Sequence, residues 1–170
     1  MSKAFTRESD DTPEQPITRP PSTLPPGAKN YITPDGARQL REELHRLLQD
    51  ERPRIAALTD IAEQKRQLQR LNQHIVTLEN SLGTAEIVSP PAKPWEQVRF
   101  GATITVREGN GVETHYRIVG IDEINLDRDW ISWCSPLAKA LLNARLSQHI
   151  RFRTPSGEQQ IEILAITYET

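Results

Sequence analysis

The feature that most constrains this chain is a run of apolar residues at three- and four-residue steps. Ile61, Leu68, Leu71, Ile75, Leu78 and Leu82 fall on one helical stripe, with Gln64 filling its one polar slot. That spacing is a heptad seam, and a seam needs a partner helix. The partner available in sequence is the preceding stretch, with Ala37, Leu40, Leu44, Leu47, Leu48, Ile55 and Leu58. Together they predict an antiparallel coiled-coil hairpin over roughly residues 34–82. A coiled coil buries only its seam and has little body of its own. What sits at its tip then decides what it does.

Thr33-Pro34-Asp35 is the start signal: a capping hydroxyl, a proline at the first helical position, and an acid where the helix dipole favours one. Pro53 removes a backbone hydrogen bond inside the first arm, where the seam also shifts phase, and predicts a kink or restart. Ser81-Leu82-Gly83 ends the second arm, with Gly83 as a left-handed cap. Halving that interval places the connection near Leu58–Ile61 and makes each arm about 37 Å long.

Residues 1–29 carry six of the 13 prolines and few apolar side chains, the signature of a disordered or polyproline-like tail. The hairpin region, 30–88, is followed by a proline-rich linker at 89–95 and a second domain at 96–170. There the periodicity changes from helical to alternating. Phe100–Val106 and Val112–Ile118 flank Asn110-Gly111, a strong hairpin-turn pair. A third strand is expected at Trp130–Trp133, a short helix opened by Ser135-Pro136, and two closing strands on either side of Pro155-Ser156-Gly157. The fold class is α+β, with a helical hairpin followed by a small, mostly antiparallel domain of about 75 residues.

Twenty-one Lys and Arg against 23 Asp and Glu leave a formal charge of −2, which excludes a generally basic nucleic-acid coat protein. Cys134 is the one cysteine, so neither an intramolecular disulfide nor a thiolate metal cage is available. His45, His74, His115 and His149 show no ligand spacing, and no cofactor or resident metal is expected. The apolar runs are short and no signal-peptide core is evident, which points to the cytoplasm.

Near the expected tip stand Thr59, Asp60 and Glu63. Asp60 and Glu63 lie at an i, i+3 spacing that puts two carboxylates on one helical face. The simpler reading of the pair, and the favoured one, is an N-cap at Asp60 with Glu63 as its capping-box partner. Arg52, Arg54, Lys65, Arg66 and Arg70 surround them; they suit nucleic acid or an acidic wall, or a solvated face balanced by Asp50, Glu51 and Glu63.

Several stretches taken in order carry a resemblance. Tyr31-Ile32-Thr33-Pro34-Asp35-Gly36 runs into Leu40-Arg41-Glu42-Glu43-Leu44, and Glu51-Arg52-Pro53 follows. Later come Tyr116-Arg117-Ile118-Val119-Gly120, Asp122-Glu123-Ile124, Ser135-Pro136-Leu137-Ala138-Lys139-Ala140-Leu141-Leu142 and Thr154-Pro155-Ser156-Gly157. Their order resembles the Gre family of bacterial transcript-cleavage factors, GreB more than GreA. The resemblance implies an FKBP-like C-terminal domain that docks on RNA polymerase at the rim of its secondary channel. It also implies a coiled coil that reaches inward, with tip carboxylates that help the polymerase hold a second Mg²⁺.

The tip departs from the family pattern. Its Gly-Asp-x-x-Glu-Asn-Ala motif is absent between Arg54 and Gln67, and about a dozen residues are missing, or about 9 Å of arm. In the docking segment Trp133-Cys134-Ser135-Pro136, Cys134 stands where the family has aspartate. The reading is a monomeric, polymerase-binding elongation regulator that is no enzyme and does not stimulate cleavage. The alternatives are a genuine cleavage factor using Asp60 and Glu63, and a coiled-coil interaction module unrelated to polymerase.

Overall fold

The computed structural model describes residues 24–169. The tail expected over 1–29 lies largely outside the described residues. Order is built from strand β1 (Asn30–Ile32), helix α1 (Pro34–Arg46), a π-helical turn (Leu47–Glu51), α2 (Arg52–Ala56) and α3 (Ile61–Thr84). The connection occupies residues 57–60, where halving the seam interval placed it.

Thr33 caps α1 by accepting from the Gly36 amide, as the start signal implies. The two arms run antiparallel, because the start of α1 and the end of α3 are tied by β1 and β2 (Ala85–Ile87), which pair in parallel from Asn30↔Ala85 to Ile32↔Ile87. Between them Leu47, Ile55, Leu71, Ile75 and Leu78 are buried together, with Leu40, Leu44, Leu48 and Leu68 packed at the margin. The seam does not run to the tip. Ile61 is 78% exposed and Leu58 36%. Neither belongs to the buried cluster between the arms.

Gly83 is not the cap. It lies inside α3 with no left-handed φ, and the helix ends one residue later by passing straight into β2. Side chains replace the glycine motif: Asn30 Nδ2 donates to the Ser81 carbonyl at 3.2 Å, and Thr84 Oγ1 to the Asn80 carbonyl at 2.9 Å.

The C-terminal part is a curled five-stranded sheet in the order β5-β4-β3-β7-β6. β3 (Ala102–Glu108) and β4 (Glu113–Val119) form the hairpin, with Gly111 at φ 84° in its turn. β5 (Trp130–Ser132) joins β4 in parallel; β6 (His149–Thr154) and β7 (Gly157–Tyr168) are antiparallel partners. Val98, Ile104, Val106, Ile118 and Ile163 are fully buried, and helix α4 (Pro136–Leu141) covers them through Ala138 and Leu141. Trp95, at the end of the segment expected to be a linker, packs on this core and meets the Tyr168 ring at 5.3 Å.

The helical part meets the sheet through one carboxylate. Glu123, in a 3₁₀ turn after β4, accepts from the Thr33 amide at 3.0 Å and from Thr33 Oγ1, and from the Gly120 amide at 2.9 Å. A Cβ at Gly36 would lie 2.1 Å from Glu123 Oε1, and one at Gly120 would lie 2.2 Å from the Tyr31 carbonyl oxygen. At Gly120 the obstacle is fixed backbone, whereas a side chain at Gly36 would displace the Glu123 carboxylate from the joint. Tyr31 completes the joint by its ring contacts with Trp133 (5.1 Å) and Phe100 (5.8 Å).

Replacing Leu71 by Asp puts a charge into the arm seam and is expected to destabilise the helical part by more than about 3 kcal/mol. Urea unfolding followed by helical circular dichroism measures it; an unchanged midpoint would refute the seam. Glu123→Ala removes the charge-assisted bonds at the joint, each worth about 1.5–3 kcal/mol. Secondary structure should be retained, while the distance distribution between spin labels on α3 and β6 should broaden; an unchanged distribution would mean that the rings alone hold the angle.

Candidate functional site

Thr59 and Asp60 lie exposed in the connection between α2 and α3. Asp60 Oδ1 accepts from the Ala62 and Glu63 amides at 2.9 and 3.1 Å, so this carboxylate is the N-cap of α3. Glu63 does not complete a capping box. It turns forward instead, accepting from Gln67 Nε2 at 2.7 Å and Arg66 Nη2 at 2.6 Å. The Gln67 amide first, and the Arg66 guanidinium with it, hold its carboxyl below the usual carboxylate range. A second tip anchor comes from Gln64, whose amide reaches across to the Ala56 carbonyl at 2.7 Å. The polar residue in the seam therefore ties the connection to the last turn of α2.

The two tip carboxylates are thus turned to helix-capping and ion-pairing, not towards a shared point in solvent. Among the described residues no three His, Cys, Asp or Glu side chains converge as a metal site. Both cap bonds fall on Asp60 Oδ1, while both oxygens of Glu63 carry a donor, so the two carboxylates are used by the arm itself.

All five basic residues near the tip are exposed. Arg54 pairs with Glu51 at 2.5 Å and Arg66 with Glu63 at 2.6 Å; Arg70 adds a longer-range attraction to Glu63, and Arg52 and Lys65 form no ion pair among the described residues. The basic face survives at reduced charge.

The segment from Trp133 to Pro136 lies between β5 and α4, close to the joint. Ser135 Oγ caps α4 by accepting from the Ala138 amide at 3.1 Å, and the Cys134 amide donates to Ser132 Oγ at 3.2 Å. Trp133 is half-buried against Tyr31, with its indole N–H buried and unpaired. Pro136 is the exposed member of the four. These residues stand apart from the tip, at the opposite end of the arms.

Sequence reasoning missed what the joint demands. Glu123, Gly36 and Gly120 were noticed as parts of a pattern, but no local signal says that a carboxylate 90 positions away receives the Thr33 amide. The available hint was the pairing of two glycines with a Thr and a Glu, each next to an element boundary.

The residues from 92 to 168 match the family model described as Transcription elongation factor, GreA/GreB, C-term. Over 154 residues the chain is 38% identical to transcription elongation factor GreB of Neisseria meningitidis, covering 82% of this chain and 94% of that protein. It is 35% identical to transcription elongation factor GreA of Legionella pneumophila over 156 residues, covering 83% and 98%. Among solved structures, a prokaryotic transcription elongation factor GreA/GreB from Nitrosomonas europaea aligns at 22% identity and a TM-score of 0.42, covering 83% of this chain and 99% of that one.

If Asp60 is a cap, Asp60→Ala should lower stability by about 1 kcal/mol. Asp60→Asn, which can still accept from the two amides, should retain most of it. Thermal unfolding of the two variants decides; equal losses would deny the capping role.

Proposed function

The chain belongs to the GreA/GreB family of transcription elongation factors, and from that premise we propose that it binds RNA polymerase at the secondary-channel rim without stimulating transcript cleavage. In this reading the arms, 30–88, form a coiled coil that enters the channel. The segment 89–95 joins it to an FKBP-like docking domain at 96–170, and the tail at 1–29 lies outside both.

The observation that carries this reading is the state of the tip. Asp60 is engaged by two backbone amides, and Glu63 by Arg66 and Gln67. The cap fixes the Asp60 carboxylate to the start of α3 through Oδ1, and Glu63 must leave Arg66 and Gln67 before both could converge on one cation at about 2.0–2.1 Å. The resemblance supplies the second support: the family's acidic tip motif is missing, with about 9 Å of arm. Docking does not depend on either loss. Pro136 and the half-buried Trp133 and Cys134 lie at the far end of the molecule, where the sheet fixes them independently of tip length.

The exposed Arg52, Lys65 and Arg70 give the arms a reason to enter an acidic channel or approach the transcription complex's nucleic acid. Occupation of the channel by a non-cleaving arm makes the protein a competitor of cleavage-competent relatives, soluble as a monomer whose seam is satisfied within one chain.

Added to backtracked polymerase, the protein is expected to leave the RNA uncleaved and, in excess, to reduce cleavage by a genuine Gre factor. Trp133→Ala or Pro136→Ala should weaken that competition about tenfold, with tip variants near wild type. Mg²⁺-dependent cleavage that vanishes in Asp60→Asn, Glu63→Gln would overturn the reading in favour of an active factor.

A further inference from the structure

Beside the Glu123 joint, between the start of α1 and the sheet, lies a cleft of about 310 Å³. Arg117 of β4 lines it together with Asp35, Arg38, Val88 and Glu169. Arg117 is the unusual member. Its side chain is only 6% exposed, its Nε has no hydrogen-bond partner, and its Nη1 sits 2.8 Å from Glu169 Oε2 without hydrogen-bond alignment. Trp130 covers one face of the guanidinium at 4.5 Å, which stabilises the charge but satisfies no N–H.

A buried guanidinium with an unfilled donor edge is costly, and proteins normally fill that fork with a planar or tetrahedral oxyanion. Glu169 fills it poorly. It is 60% exposed and reaches only one nitrogen from the end of β7. The other carboxylate in the cleft, Asp35, is already engaged by Arg38 and by Gln39 Nε2, so it adds little net repulsion. The start of α1 borders the same space, but its positive end is already taken by Glu123 and the Thr33 cap, so the guanidinium groups are what the cleft offers an anion.

We propose that this cleft binds a phosphate-bearing ligand, whose oxygens reach the Arg117 guanidinium when Glu169 swings away and draw Arg38 from its exposed pairs with Asp35 and Glu42 at the rim. Glu169 is then the resident stand-in that the ligand displaces. The volume is at the small end of the range for ligand pockets, which fits inorganic phosphate, pyrophosphate or the phosphate of a nucleoside monophosphate. Because Arg117 belongs to the sheet and Arg38 to the arm, the bound ligand bridges the two parts at the point where Glu123 already joins them. Occupancy therefore stiffens the angle between arm and sheet. This site is independent of the polymerase reading, and its test needs no polymerase.

The experiment is isothermal titration calorimetry of the full chain with inorganic phosphate, pyrophosphate and adenosine monophosphate, at ionic strength held constant with chloride. Saturable one-site binding of at least one is expected; a preference for the nucleotide over phosphate identifies a phosphorylated small molecule as the source chemistry. Arg117→Gln should weaken binding at least about tenfold, the value of a lost charge-assisted pair. Glu169→Gln should instead tighten it, because the competing carboxylate is gone while the fold is untouched. That opposite sign keeps the proposal testable even if Arg117→Gln fails to fold. Absence of saturable binding in both the native chain and Glu169→Gln would overturn it, as would binding that Glu169→Gln leaves unchanged or weakens.

Discussion

The arrangement of this molecule rests on the Glu123 carboxylate. Two modest structures, a pair of helical arms and a curled sheet, meet over a narrow joint, and at its centre one side chain receives Thr33 from the arm and Gly120 from its own loop. The bonds are charge-assisted and half-buried, which makes them stronger than ordinary surface hydrogen bonds. Sterics add direction. Glycine at 120 admits the Tyr31 backbone and glycine at 36 leaves room for the carboxylate, which lets the start of α1 come close to the sheet. Thr33 serves both structures, capping α1 with the same oxygen that donates to Glu123. Helix initiation and arm placement are therefore one event.

Much of this was legible. The 3-4 spacing of Leu71, Ile75 and Leu78, the Thr33-Pro34-Asp35 start, Asn110-Gly111 and Ser135-Pro136 are local signals whose physics acts within a few residues. The failures were of partner choice, at long range for Gly83 and within one turn for Glu63. Gly83 had the chemistry of a left-handed cap, but β1–β2 pairing and the Asn30 amide took over its task from 53 positions away. Ile61 had the right phase for the seam, yet it lies exposed, outside the buried cluster between the arms. Glu63 had the right spacing for a capping box, but Arg66 and Gln67 offered a charged and an amide donor one turn ahead. At the candidate site, the tip's position and its capping residue were readable; which partners its carboxylates chose was not.

The phase shift at Pro53 has a definite structural solution. From Leu47 a regular seam would continue to Glu51 and Arg54, yet the buried residue is Ile55, eight positions on rather than seven. The π-helical turn at Leu47–Glu51 absorbs that extra residue: the Arg52 amide donates to the Leu47 carbonyl, an i→i+5 bond. It also accommodates the proline, which has no N–H to give the regular helix. The insertion keeps both Leu47 and Ile55 against α3, and Glu51 swings out to bind Arg46 and Arg54.

Arm length and joint stiffness together set what the tip can do. α3 spans 24 residues, about 36 Å at 1.5 Å per residue, so a rotation of 10° at the joint carries the tip by about 6 Å. Metal ligation tolerates only about 0.2 Å, and a tip that contributes ligands needs a joint far stiffer than a few hydrogen bonds provide alone, or a channel wall to guide it. A tip that fills space has no such requirement. Its carboxylates are free to stabilise the arm itself, and Asp60 and Glu63 do so here. On the proposed reading, the self-satisfied tip and the single-carboxylate joint are consistent with each other: both suit an arm whose effect is occupancy, with docking precision left to the sheet.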